Sequence, residues 1–282
     1  MQRPLLHRRT FAQALALTAG LSIASGGYRA TQAAQRPRLK LGLQLYSLRN
    51  FPIDQALQHA KDLGFQQVEF YSGMLPIQST AQELDRVKSK VAGLGMSISA
   101  HGVNRFSKDE AANRKLFEFA KALGIPTITA DPDPDSFSNL DALVKEFDIR
   151  VAIHNHGPTH RYNKVVDVLR AIESHDVRIG ACADLGHFIR SSEKPEDVIR
   201  ALKGRLYGVH LKDFAEMTNK TKGVILGKGH LDCLKVFTAL TETQFPENGA
   251  LSLEYEENEK DPIADIRECV RVAREGLDKI PA

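Results

Sequence analysis

The chain has 282 residues, of which 42% are hydrophobic and 26% charged, with a net charge of +3. That is the balance of a soluble globular protein with one large core or two small ones. No run reaches 18 uninterrupted apolar residues, so the sequence offers no helical membrane span.

The basic excess is confined to the start. The first 40 residues carry seven basic side chains and no acid. Arg8-Arg9-Thr10-Phe11 leads into a modestly apolar run from Ala12 to Ala24, followed by small and polar residues. This is the pattern of a twin-arginine signal, an address for export of folded proteins. The expectation is a signal peptide and linker over 1–34, cut somewhere from 24 to 35, and an exported, periplasmic domain over 35–282 that does not stay in a membrane. Removing 1–34 takes away four arginines and leaves a net charge of −1, so the pI makes no case for nucleic-acid binding.

From Leu39 onward, β-rich runs alternate with helical runs through eight cycles. Strands are expected at 39–46, 66–71, 96–101, 125–130, 149–155, 177–184, 205–212 and 250–256. Helices are expected at 52–63, 79–93, 108–123, 137–146, 162–173, 195–201, 231–241 and 261–276. Thr80 and Glu83 are spaced for a capping box. Gly64, Gly95 and Gly124 follow helical runs, and Pro195 and Pro262 fit first turns. Leu84, Val87, Val91 and Leu94 recur on one face, as do Leu116, Phe119, Ala120 and Leu123. Eight such cycles in about 240 residues fit a single-domain (β/α)₈ TIM barrel. No glycine-rich dinucleotide fingerprint follows the first strand. Cys182, Cys233 and Cys269 sit among apolar neighbours and read as buried thiols.

Sites in such barrels lie at the C-terminal ends of the strands. Polar residues collect there: Gln44 and Tyr46 on the first strand, Glu69 and Tyr71 on the second, His101 on the third, His154-Asn155-His156-Gly157 on the fifth. Asp184 and His187 end the sixth, His210, Lys212 and Asp213 the seventh, Glu254 and Glu256 the eighth. Period two puts His154 with His156, His210 with Lys212, and Glu254 with Glu256. Asn155 and Asp213 stay open. His154, Asp184, His210 and Glu254, one per strand, form a candidate set for a divalent ion. Imidazole and carboxylate suit Mn, Zn, Co or Fe and disfavour Ca. Gln44, Tyr46, Glu69, Tyr71, His187 and Glu256 are candidate substrate contacts. Glu254, His101, His156 and Lys212 are candidates for proton transfer or for steadying an oxyanion, with a salt bridge from Lys212 to Asp213 or Glu256 as the alternative. Gly227-Lys228-Gly229 is a weak phosphate candidate.

The run Gly42-Leu43-Gln44-Leu45-Tyr46-Ser47, the segment Gly64 to Glu69, His154-Asn155-His156-Gly157, Asp184-Leu185-Gly186-His187, His210-Leu211-Lys212-Asp213, Gly227-Lys228-Gly229 and Glu254 together resemble the xylose-isomerase-like barrel superfamily, also called the sugar phosphate isomerase/epimerase family, over residues 39–277. The resemblance implies a metal held by Glu, Asp, His and Glu, with the first and last glutamates as opposing bases on a ketose. Asp184, His210 and Glu254 match the last three; His154 stands where the first glutamate is expected. Relatives of the His-Asn-His-Gly form are often exported. The resemblance therefore implies an isomerase or epimerase acting on a sugar or keto sugar by proton abstraction beside a carbonyl that the metal polarises. The alternatives are a metal-dependent lyase or hydrolase of 3-keto sugars or glycosides, and a non-catalytic carbohydrate-binding barrel with Tyr46, Tyr71 and Phe188 as an apolar rim.

Overall fold

The computed structural model describes residues 39–280; the expected signal segment over 1–34 lies outside them. Eight parallel strands close into a barrel: β1 (Leu41–Gln44), β2 (Gln67–Phe70), β3 (Ser97–Phe106), β4 (Thr127–Pro132), β5 (Arg150–His154), β6 (Ile179–Asp184), β7 (Leu206–Leu211) and β10 (Ala250–Leu253). The helices are α1 (Ile53–Asp62), α2 (Ala81–Gly93), α3 (Glu110–Leu123), α4 (Phe137–Phe147), α5 (Val165–Ile172), α6 (Leu185–Arg190), α7 (Pro195–Ala201), α8 (Cys233–Glu242) and α9 (Ile263–Asp278). Every expected strand and helix is present. No helix among the described residues is long and apolar enough to cross a membrane.

The punctuation works as expected. Thr80 and Glu83 form the reciprocal capping box of α2. Gly124 ends α3 in the left-handed conformation at φ 77°. Pro195 opens α7, whereas Pro262 sits one place earlier than expected, as the N-cap of α9. Two features were not expected. The six-residue α6 starts directly at the end of β6, where the Asp184 carboxylate caps it through the His187 amide. A small antiparallel ladder, β8 (Asp213–Phe214) with β9 (Gly223–Val224), follows β7. The third strand runs on to Phe106, and the eighth stops at Leu253, so Glu254 to Glu256 lie just beyond it.

Alternation along the strands separates two buried sets. Leu41 and Leu43, Val68 and Phe70, Val151 and Ile153, and Leu251 and Leu253 join the helices in one apolar cluster. The residues between them are buried too, but small or polar: Gln67 and Glu69, Ser99 and His101, Thr127 and Thr129, Ser252. Ala152, Cys182 and Tyr207 form a separate small cluster on this inner side. The apolar free energy of the fold thus comes mainly from the layer between barrel and helices. The lumen is left for polar groups that converge on the C-terminal end.

Close packing against the neighbouring β7 constrains Gly180. A Cβ there would fall against the Arg205 carbonyl oxygen and 2.6 Å from the Tyr207 ring. Gly180→Ala should lower the unfolding free energy by about 1–3 kcal/mol, the usual range for overpacking. Urea titration of the barrel domain checks this, and an unchanged midpoint contradicts it.

Candidate metal centre and cavity

His154 ends β5, Asp184 ends β6, His210 lies in β7 and Glu254 follows β10. Asp184 and His210 are register partners, so the two strands deliver them at one level. Asn155 secures this: its amide donates to the Asp184 carbonyl at 3.0 Å and accepts from the Asp184 N–H at 2.8 Å. One ligand atom from each of the four residues lies within 4.8 Å of the others, and all four residues are buried. His154 Nε2 is 3.2 Å from His210 Nδ1 and 3.5 Å from Asp184 Oδ2; His210 Nδ1 is 3.2 Å from Glu254 Oε2. Ligands held about 2.1 Å from one ion are roughly 3.0–3.4 Å apart, so these spacings suit a transition metal.

One buried atom fits that reading. Asp184 Oδ2, which faces the cluster, has no hydrogen-bond partner; His154 Nδ1 has none either, but it is the ring nitrogen that does not face the cluster. The Asp184 oxygen lies 3.2 Å from Lys212 Nζ and 3.5 Å from His154 Nε2 without a hydrogen bond to either. Below the cluster, His210 Nε2 is 3.1 Å from Glu69 Oε2. Glu69 in turn accepts from Thr129 Oγ1 at 2.6 Å and Ser252 Oγ at 2.7 Å. This carboxylate–histidine pairing orients the ring and leaves Nδ1 for the cluster. Glu69 is fully buried and stands beneath His210 instead of facing the open cavity as a substrate contact.

An open cavity of about 770 Å³ lies above the cluster, lined by residues that include Gln44, Tyr46, Tyr71, Val103, His154, His156, His187, Lys212, Glu254 and Glu256. The structure therefore brings together all the expected site residues except Glu69 and His101. His101 is buried, with Nε2 on the Leu75 carbonyl at 2.9 Å and Nδ1 on Asn104 at 3.1 Å. Both ring nitrogens are committed, which removes it as a base. Phe188 is also buried and takes no part in a rim; Tyr46 and Tyr71 meet edge to face at the mouth, 5.2 Å between centroids.

The remaining histidines differ in what they can do. Arg190 Nη1 is 3.2 Å from His187 Nδ1. A guanidinium only donates, so Nδ1 accepts and the neutral ring carries its proton on Nε2. Burial and the Lys212 charge bring His187 down to about 4 despite Asp184. Burial and the neighbouring His154, His160 and His187 bring His156 to about 3. Both are therefore neutral at neutral pH. Asp131, His156 and His160 form a second group with metal-like spacing. His160 is already spoken for: the Tyr162 N–H donates to its Nδ1 at 3.3 Å, so Nε2 carries the proton and faces Asp131 at 3.2 Å.

Lys212 Nζ lies 2.7 Å from Glu254 Oε2, 3.2 Å from Asp184 Oδ2 and 3.2 Å from Glu256 Oε1. Burial alone lowers a lysine pKa, but these three carboxylates hold Lys212 well above its usual value. Glu254 is opposed by burial yet held well below the carboxylate range by Lys212 and His210. Asp213 is not the lysine's partner. Its carboxylate accepts the amides of Phe214, Gly227, Gly229, His230 and Leu231 at 2.8–3.0 Å. The Gly227-Lys228-Gly229 turn is thus filled by the chain's own anion and is no phosphate site. The roles of Glu69 and Asp213 depend on partners far along the chain, which no spacing in the sequence announced; Arg190 is three residues beyond His187, a spacing that has meaning only once α6 is known.

His154→Ala, Asp184→Asn, His210→Ala and Glu254→Gln should each sharply weaken Mn²⁺ or Zn²⁺ binding in a folded barrel. Glu69→Gln should weaken it by about 10–100-fold through His210 alone. Calorimetric titration reads both, and unchanged affinity in all five variants removes this ligand set. His210 is opposed by burial but held well above the usual histidine pKa by Cys182, Glu69 and Glu254. Ion binding at Nδ1 must therefore displace a proton, so affinity should fall as pH falls from 8 to 6. Metal titrations in buffers of different ionisation enthalpy should show proton release.

Residues 57–275 match the family described as xylose isomerase-like TIM barrel. A curated relative, 3-oxo-isoapionate decarboxylase of Pectobacterium atrosepticum, is 26% identical over 182 residues, 58% of this chain and 62% of that protein. An uncharacterized protein of Parabacteroides distasonis aligns with a TM-score of 0.67 at 25% identity, covering 84% of this chain and 99% of that one. The 3-keto-D-glucoside 4-epimerase of E. coli aligns with a TM-score of 0.67 at 17% identity, covering 84% of this chain and 99% of that one, a likeness of fold. With three quarters of its length matched and the cluster at the strand ends in place, the chain belongs to the xylose isomerase-like TIM barrel family.

Proposed function

We propose that the chain is a metal-dependent enzyme that isomerises or epimerises a sugar or keto sugar by moving a proton on a carbon beside a carbonyl. The observation that carries this reading is the division of labour within Glu254. Its Oε2 faces His210 and Lys212, while among the described residues no hydrogen bond reaches Oε1, and the side chain lines the cavity. A bound divalent ion supplies a Lewis acid for a carbonyl oxygen and for the negative charge that develops on it. Glu254 accepts the proton from the neighbouring carbon, and the C–H electron pair moves into the carbonyl. His187, with its proton on Nε2, donates a hydrogen bond to the oxygen that gains charge. The proton of the hydroxyl on the deprotonated carbon passes to the oxygen that gained charge, Glu254 returns its own proton to the former carbonyl carbon, and the carbonyl then stands on the neighbouring carbon, which completes an isomerisation with one base.

The charges at the cavity support an uncharged substrate. Its one lining ammonium is shared by three carboxylates, and the Gly227–Gly229 amides are taken by Asp213. Tyr46, Tyr71 and Val103 give the mouth an apolar edge suited to the face of a sugar ring.

A second reading is favoured by one specific observation. His154 faces the cluster through Nε2, so the wall opposite Glu254 holds imidazoles and no second carboxylate. Inversion at one carbon needs groups on both faces, whereas an elimination or a bond cleavage beside a ketone needs one base and one acid. A lyase or hydrolase of keto sugars or glycosides satisfies that condition. The printed activity of the curated relative, a decarboxylase of a 3-oxo compound, is in keeping with it. The Arg8-Arg9 start supports export to the periplasm by the twin-arginine route before either reaction is carried out.

Metal-loaded protein incubated with a panel of keto sugars in D₂O should take up deuterium beside the carbonyl. Glu254→Gln should reduce that exchange by about 10²–10⁴-fold at saturating metal, and Glu256→Gln far less. Full activity in metal-saturated Glu254→Gln protein shows that another group is the base. Release of an aglycone from a 3-keto-glycoside, without exchange into free ketoses, selects the second reading.

A further inference from the structure

Asp184 Oδ2 and Glu254 Oε2 face both the cluster and Lys212. They are the carboxylate oxygens that face His154 Nε2 and His210 Nδ1 in the cluster. They are also the oxygens nearest Lys212 Nζ, at 3.2 and 2.7 Å. Lys212 is 5% exposed, so solvent does not screen it appreciably. Its stem is pressed against Gly186, where a Cβ would come within 2.6 Å of Lys212 Cγ. The side chain is therefore confined to the space between β7 and the start of α6. A third carboxylate, Glu256, holds the ammonium at 3.2 Å from outside the ligand set.

We propose that Lys212 is a built-in competitor of the divalent ion: its ammonium neutralises Asp184 and Glu254 when the cluster is metal-free, and opposes the ion once it enters. An ion bound to an oxygen at about 2.1 Å and an ammonium about 3 Å from the same oxygen lie within roughly 4–5 Å of each other. Like charges at that separation, in a buried site, repel by more than one tenfold step in affinity. Glu256 keeps the ammonium in place as its share of the ligand oxygens falls, so ion entry does not require the lysine to leave. The metal-free barrel is spared two bare buried carboxylates, and the loaded barrel holds its ion less tightly than its four ligands alone would. This inference rests on the reading of the cluster as a metal centre.

The test is Mn²⁺ affinity, measured by calorimetry or chelator competition, with no substrate present. Lys212→Met keeps the apolar stem and removes the charge, and it should bind Mn²⁺ about 10–100-fold more tightly than wild type. Lys212→Arg should stay close to wild type. Glu256→Gln should bind more weakly, because the ammonium then falls wholly to the two ligand carboxylates. A structural lesion loosens a metal site, so tightening is specific to charge competition. Wild-type or weaker affinity in folded Lys212→Met protein overturns the proposal. If that variant does not fold, Glu256→Gln decides: equal or tighter binding overturns it. Wild-type protein that binds no Mn²⁺ overturns the metal centre and this inference with it. Wild-type binding that Glu254→Gln abolishes, without tightening in Lys212→Met, overturns this inference alone.

Discussion

His210 stands between two buried carboxylates, with Glu69 at 3.1 Å from Nε2 and Glu254 at 3.2 Å from Nδ1. The rest of the site depends on how that negative charge is met. Leaving a carboxylate unpaired in a protein interior costs several kcal/mol, so each must find a cation or donor. Glu69 finds His210, Thr129 and Ser252. Asp184 and Glu254 find Lys212. The network is closed from below and open from above, which is the condition for a buried site that still exchanges with solvent through a cavity.

The barrel makes such a network tolerable by dividing its residues between two faces. Large apolar side chains face the helices and supply the core. The lumen is then free to carry glycine, serine, threonine and the charged groups without loss of the main apolar layer. Parallel register brings the strand ends to one level, so residues from strands far apart in the chain meet within a few ångströms. Asn155 reinforces this locally by bonding both backbone groups of Asp184.

The two walls of the cavity differ chemically. One carries Glu254 and Glu256 with Lys212 between them. The other carries His154, His156 and His187, the last with its proton directed by Arg190. Arg190 is itself held by the Asn219 carbonyl at 3.1 and 3.2 Å, which ties the orientation of His187 to the segment after β8. A base on one side and the neutral rings of His156 and His187 on the other favour chemistry in which a proton leaves from one face and charge is received on an oxygen.

The order of strands and helices was legible because it rests on short-range physics. Period-two and period-3.6 patterns, the Thr80–Glu83 box and Gly124 each act within a few residues. The six-residue α6 and the short β8–β9 ladder were not legible, since six and two residues are too few for a period to show. His154, Asp184, His210 and Glu254 could be picked out because a barrel exposes the ends of its strands at one rim. His101 and Glu69 have the same position and phase in the sequence but different surroundings. Leu75 and Asn104 close over His101, and Glu69 lies one layer lower, under His210. The sequence by itself determined the elements, the closed barrel they imply and the rim where chemistry collects, because local patterning encodes those. Which rim groups face the cavity, which nitrogen carries a proton, and that Asp213 fills its own glycine loop while Lys212 leans on three carboxylates were decided by contacts between distant parts of the chain. Those contacts depend on distances of a few ångströms that only the folded barrel specifies.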